Sequence, residues 1–260
     1  MDNKKISKTI HYCWFGRGKK SELFYKCLES WRKYCPDYEI KEWNEDNFDI
    51  NLCNYTKQAY DKKKYAFVSD VARVWIVYNY GGIYLDTDVE LVSDISSLLH
   101  YSAWYASESA KSVATGLGFG SIIHHYISKA ILDDYMERDF VDLSPCAKLN
   151  TQVIRQVLNG FEYADKTRVY DDVIILSSQD YGSYAKHLYA SSWADNSNKK
   201  DSSIRWEILH FLERPKILKY CDTHNNLLSK AYSFLLYELV ACGFTHCFNL
   251  IKRKIIKKKT

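Results

Sequence analysis

The sequence predicts an α/β protein: a Rossmann-like mixed sheet flanked by helices, followed by a helical C-terminal extension. Three observations predict it. Residues 9–43 read as a β-α-β opening, residues 61–80 as an apolar helix closed by two glycines, and residues 83–85 as a short apolar strand running into Asp86-Thr87-Asp88. Alternating strands and helices build sheets with helices on their faces. Ligands of such sheets bind outside the carboxyl ends of the strands.

Thr9 to Phe15 is a β-rich run stopped by Gly16 and Gly18. Ser21 has the chemistry of an N-cap for a helix through about Tyr34, with Leu23, Phe24, Cys27, Leu28 and Trp31 at helical spacing. Pro36-Asp37 ends that helix, and Tyr38 to Trp43 reads as a second strand. A helix from about Asp61 to Tyr80 follows, with Gly81-Gly82 as its glycine stop. Further along, Ala114 to Gly120 reads as a glycine-rich strand open to close backbone approach, His124–Arg138 and Lys148–Leu158 as helices, and Val173–Leu176 as a strand. The polar stretch 194–203 predicts a boundary, giving one domain over 1–195 and a helical extension with a basic tail over 196–260.

Composition narrows the function. With 47% hydrophobic and 26% charged residues the chain is globular rather than disordered. The formal net charge is +4, but Lys252 to Thr260 holds six basic residues and no acid, so the rest is mildly acidic. Basic character confined to a tail argues against a broad nucleic-acid surface. Eight cysteines include no C-x-x-C pair and no zinc spacing, and no apolar leader follows Met1, so a reducing cytosol is expected.

Asp86 and Asp88 are the leading candidates for chemistry. Side chains alternate along a strand, so residues two apart face the same way, and two carboxylates together suit Mg²⁺ or Mn²⁺. Asp70 and Arg73 lie three apart on the preceding helix and can pair. That pair reads equally as a solvated surface contact or as part of the site. Trp14, at the end of the first strand, reads as a core residue or as a platform for a nucleobase. His187, ahead of Ser192 and Trp193, would join the aspartates as a nitrogen ligand if they share a metal.

Four ordered blocks carry a family resemblance: Ile10-His11-Tyr12-Cys13-Trp14-Phe15-Gly16, Ser69-Asp70…Arg73, Gly81-Gly82-Ile83-Tyr84-Leu85-Asp86-Thr87-Asp88, and His187…Ser192-Trp193. Over residues 8–193 the chain resembles the family 32 glycosyltransferases, DXD-containing sugar transferases that include bacterial capsule and polysaccharide enzymes. The glucosylating domains of clostridial toxins look like more distant relatives. The resemblance implies a GT-A type nucleotide-sugar-binding fold, a nucleotide-sugar donor with UDP favoured over GDP, Mn²⁺ or Mg²⁺, and hexose transfer with retention to a glycan or lipid-linked glycan. By position it implies metal ligation by Asp86, Asp88 and His187. Asp70, Arg73 and Tyr84 would lie around the donor sugar, Asp86 would also meet the ribose, Trp14 would stack on the base, and Ser192 and Trp193 would close over the diphosphate. Asp70 and Asp88 are the residues expected to matter most for catalysis. Two positions depart from the common pattern: Leu188 replaces a second histidine, and Ala114 an asparagine.

Residues 231–251 are largely apolar but interrupted by Glu238, His246 and Asn249. With the basic tail they suggest peripheral contact with anionic lipid on the inner face of the plasma membrane. Two other readings stay open. Leu85-Asp86-Thr87-Asp88-Val89 also resembles a haloacid-dehalogenase phosphatase motif, with Asp86 as nucleophile and Asp133-Asp134 or Asp171-Asp172 as late metal ligands. A catalytically inactive scaffold of a polysaccharide assembly complex is the other.

Overall fold

A computed structural model describes residues 5–109, 112–140, 146–162 and 166–188. Ser192, Trp193, the boundary at 195/196 and the segment 231–260 lie outside the described residues. The opening forms as its sequence dictates. β1 (Thr9–Cys13) leads into α1 (Glu22–Tyr34), whose N-cap Ser21 accepts the Phe24 N–H at 3.2 Å, and β2 (Glu39–Trp43) returns parallel to β1.

The helix expected from about Asp61 to Tyr80 forms as α3 (Tyr65–Tyr80), four residues late, and is preceded by a helix that was not expected, α2 (Asn54–Asp61). Lys63 between them has φ 58°, the left-handed region that an L residue enters only at a cost. Nothing in Lys62-Lys63-Lys64 advertises that break, since neither glycine nor proline is present. The far end of α3 follows expectation: Gly81 takes φ 66° and donates its N–H to Val77 O at 2.9 Å.

The chain continues through β3 (Gly82–Tyr84), β4 (Val89–Leu91), a 3₁₀ turn at Ser96–His100, β5 (Ala103–Ser109), β6 (Ser112–Val113) and β7 (Phe119–Ser121). After these come α4 (Tyr126–Met136), α5 (Cys146–Val157), β8 (Arg168–Tyr170), β9 (Val173–Leu176), α6 (Ser178–Tyr181) and β10 (Ala185–His187). The main sheet runs β2-β1-β3-β7-β5-β9-β8, with β6 alongside β5; β4 and β10 form a separate antiparallel pair. β1, β2 and β3 are mutually parallel where they pair, as are β5 and β9, while β7 runs antiparallel between β3 and β5. This is the mixed α/β sheet the sequence predicts.

Residue parity assigns each strand side chain to one of two cores. Tyr84, Tyr105, Val173 and Ile175 pack with the apolar faces of α2, α3, α4 and α5. Their immediate neighbours Ile83, Leu85, Trp104, Ile174 and Leu176 pack on the opposite side with α1. Burial on both faces explains why these strands read as apolar runs rather than alternating ones. The described cysteines, Cys13, Cys27, Cys35, Cys53 and Cys146, are free thiols. Among the described residues, no helix is long and apolar enough to cross a membrane.

Candidate active site

Asp86 and Asp88 follow β3 in a turn, not on the strand itself, so pleat geometry does not align them. The turn closes through the Val89 N–H, which donates to Asp86 O at 3.0 Å. Val89 then starts β4, where it stands opposite His187 of β10, and the Leu188 N–H donates to Asp88 O at 2.9 Å. Trp31 of α1 fixes the same segment by donating its indole N–H to Val89 O at 2.7 Å. Strand pairing therefore brings a histidine a hundred residues downstream to the aspartates. Ligand atoms of Asp86, Asp88 and His187 lie within 4.8 Å of one another, with His187 Nε2 3.2 Å from Asp88 Oδ1.

Behind this trio stands an ion-pair network on α3. Arg73 donates from Nη2 to Asp70 Oδ1 at 2.7 Å, from Nη1 to Asp86 Oδ2 at 3.4 Å, and from Nε to the Ser69 carbonyl at 3.0 Å. The Arg73 and Asp70 side chains are only 4% and 9% exposed. An exposed i,i+3 pair is worth a few tenths of a kcal/mol; breaking a buried one costs about 3–5 kcal/mol. Burial rules out the solvated surface contact and leaves the pair packed against Asp86.

Tyr84 is fully buried, donates its hydroxyl to Asp86 Oδ1 at 2.9 Å and lies 5.1 Å beneath the Arg73 guanidinium. It orients Asp86 from behind. Both Asp86 oxygens therefore have protein donors, while a quarter of its side chain remains exposed. Burial raises the Asp70 carboxyl to about 7 against the pull of Arg73, and the Asp86 charge adds to the rise. Asp86 is raised for the same first reason, again opposed by Arg73. Arg73 is itself raised, its burial being outweighed by both carboxylates. Burial raises the two acids and Arg73 only partly offsets it, while the two carboxylates together raise Arg73. At His187, burial favours the neutral ring, but the hydrogen bond and charge of Asp88, with Asp86 and Glu108 beyond it, raise it above its ordinary value.

Two contributors were not singled out in the sequence. Glu108 on β5 adds negative charge felt at His187. Gly116 sits in a turn at residues 115–117, where a strand had been expected; only Phe119–Ser121 of that stretch is strand. A Cβ at Gly116 would lie 2.8 Å from Arg73 Nη1 and 2.9 Å from Asp86 Oδ2, so any larger residue there would have to displace one of those side chains. Trp14 is half-buried after β1, donates its indole N–H to Gly18 O at 2.8 Å and packs on Phe24 at 5.8 Å between centroids. It takes no part in the hydrogen bonds of the carboxylate network. Asp133 and Asp134 of α4 pair with Lys129 and with Arg138 just past its end, and neither they nor Asp171-Asp172 form a metal-type cluster among the described residues.

Two carboxylates and an imidazole, with ligand atoms this close, form a donor set that fits Mn²⁺ or Mg²⁺. Residues 21–105 match the model of the family described as the glycosyltransferase sugar-binding region containing the DXD motif. Two similar curated proteins come from Schizosaccharomyces pombe (strain 972 / ATCC 24843). Inositol phosphoceramide mannosyltransferase 3 is 32% identical over 127 residues, covering 44% of this chain and 33% of that protein. Inositol phosphoceramide mannosyltransferase 2 is 25% identical over 216 residues, covering 74% and 59%. The chain thus spans between a third and three fifths of the length of these relatives. Among solved structures, the PaToxG glycosyltransferase aligns with a TM-score of 0.48 at 19% identity, covering 60% of this chain and 72% of that one. A glycosyltransferase involved in glycosylation of the major capsid of PBCV-1 aligns at 0.40 and 13% identity, covering 71% and 95%.

Proposed function

We propose that this chain, which belongs with the DXD-containing glycosyltransferases of the family 32 type, moves a hexose from a nucleoside diphosphate sugar to a glycan or lipid-linked glycan hydroxyl, with retention of configuration. The observation that carries this reading is the convergence of Asp86, Asp88 and His187 in front of the buried Asp70–Arg73 pair. A motif match alone would leave two aspartates in a turn; the buried guanidinium and phenol behind them make that turn a shaped site.

Asp86, Asp88 and His187 would hold a divalent cation, which when bound supplies neutralisation of the diphosphate's negative charge. Arg73 aims Asp86 and opposes the protonation that burial favours, with Tyr84 fixing the other oxygen. Asp70, held by Arg73, is placed to accept sugar hydroxyls, and its raised proton affinity lets it also donate near neutral pH. Trp14 offers an aromatic face to the base. Positioning and fixed charge are the main contributions assigned to the protein.

The relatives' names put a mannosyl donor in the test panel beside UDP-hexoses. Release of nucleoside diphosphate from UDP- and GDP-hexoses is measured with Mn²⁺, with Mg²⁺ and with chelator. At least one donor should turn over only with metal. Turnover of phosphomonoesters instead, with an aspartyl-phosphate trapped at Asp86, would favour the phosphatase reading.

A further inference from the structure

We propose that Asn150 is a positioning residue for the metal ligands, acting through the Thr115–Gly116 turn on Arg73 and Asp86. The proposal rests on the metal-dependent reading above. Asn150 is fully buried on α5, and its Nδ2 donates to the Thr115 hydroxyl at 2.8 Å; Thr115 is fully buried as well. Beside it on the helix, Thr151 accepts the Val113 N–H at 2.8 Å and donates to Ala147 O at 2.6 Å. α5 therefore grips the 113–116 segment at two points.

The segment is not remote from the chemistry. At Gly116 the space for even one carbon is taken by Arg73 Nη1 and Asp86 Oδ2. A turn packed this closely has no slack, and a shift of a few tenths of an ångström in it moves the pair or opens a gap against it. Asn150 sets where Thr115 sits, Thr115 sets where Gly116 sits, and Gly116 backs the ion pair that aims Asp86.

Packing does not account for the amide. Asn150 Oδ1 is buried and meets no hydrogen-bond partner among the described residues. A leucine of similar size would fill the place without leaving an acceptor unmet. What leucine lacks is the donor to Thr115.

The full chain is titrated with Mn²⁺, following the free ion by EPR, for the wild type, Asn150→Ala, Thr115→Val, Thr115→Ser and the Asn150→Ala/Thr115→Val double variant, with thermal melts alongside. Asn150→Ala and Thr115→Val should each weaken Mn²⁺ binding by roughly five- to tenfold, as loss of a coupling relayed through packed groups does. The double variant should be no weaker than either single change. Thr115→Ser, which keeps the hydroxyl, should stay within about twofold of wild type. If Asn150→Ala fails to fold, the Val and Ser variants at Thr115 still decide the matter. Unchanged Mn²⁺ affinity in the variants, whatever their melting temperatures, would overturn the proposal, as would full additivity in the double variant. A wild type that binds Mn²⁺ in this pattern but releases no nucleoside diphosphate overturns the proposed function and leaves the positioning result standing. A wild type that binds no Mn²⁺ overturns both.

Discussion

Asp86 and Asp88 lie two residues apart and are held in opposite ways. Asp86 is anchored from inside, by Arg73 on one oxygen and Tyr84 on the other, against an ion pair that is almost wholly buried. Asp88 lies beside His187, its side chain no more exposed than that of Asp86, and gets its position from backbone pairing, through Leu188 N–H and the β4–β10 register. The inner half is fixed before any ligand arrives. The outer half has a titratable partner that a cation can displace or share. Asp86 therefore joins the ligand site to the buried ion pair, while Asp88 belongs to the ligand site alone.

The largest expected effect breaks the inner half. Arg73→Ala leaves Asp70 and Asp86 buried without their counter-charge, at about 3–5 kcal/mol. For a domain of this size that lowers the melting temperature by roughly 6–20 °C, measured by circular dichroism. Asp88→Asn, in the outer half, should move it by only about 2 °C. Equal losses in both variants would erase the distinction.

A smaller effect concerns the outer half and pH. The folded pKa of His187 lies above its ordinary 6.5 because Asp88, then Asp86, outweigh its burial. Its imidazolium therefore adds stability that is fully present below pH 6.5 and lost as pH rises through the raised value. The same proton must leave before the ring can bind a metal. Mn²⁺ affinity should climb from pH 6 to 8, by up to about tenfold per unit for one proton released. His187→Ala should remove about one proton from that slope. An affinity that is flat with pH, or a slope unchanged in the variant, would count against His187 as a ligand.

Much of the frame was legible from local chemistry. Ser21 capped α1, Gly81 stopped α3, and the run Val173–Leu176 is β9 residue for residue. β5 was not legible, because only Trp104 and Tyr105 are large, small residues Ala103, Ala106 and Ser107 flank them, and both of its faces are buried, which removes alternation. The α2–α3 break was hidden for a different reason: it depends on one left-handed lysine. At the site, residue types and spacing identified Asp70, Arg73, Asp86, Asp88 and His187 as candidates, and the fold brings all five together. The strand logic offered for the two aspartates did not hold, since a turn rather than a pleat aims them. Gly116, Glu108 and Asn150 were missed because their importance is set by what folds against them. The glycine-rich stretch was the one available signal, and it pointed to a close approach without saying that Arg73 and Asp86 make it.

The central claim is that Asp88 serves bound metal and not the fold. Nucleoside diphosphate release from the best donor, measured against Mn²⁺ concentration in wild type and Asp88→Asn, tests it most directly. The expected result is metal-dependent release in the wild type and a loss of at least about 100-fold in the variant, with its melting temperature within about 2 °C of wild type. Near-normal turnover by Asp88→Asn, or wild-type turnover that persists in chelator, would contradict it.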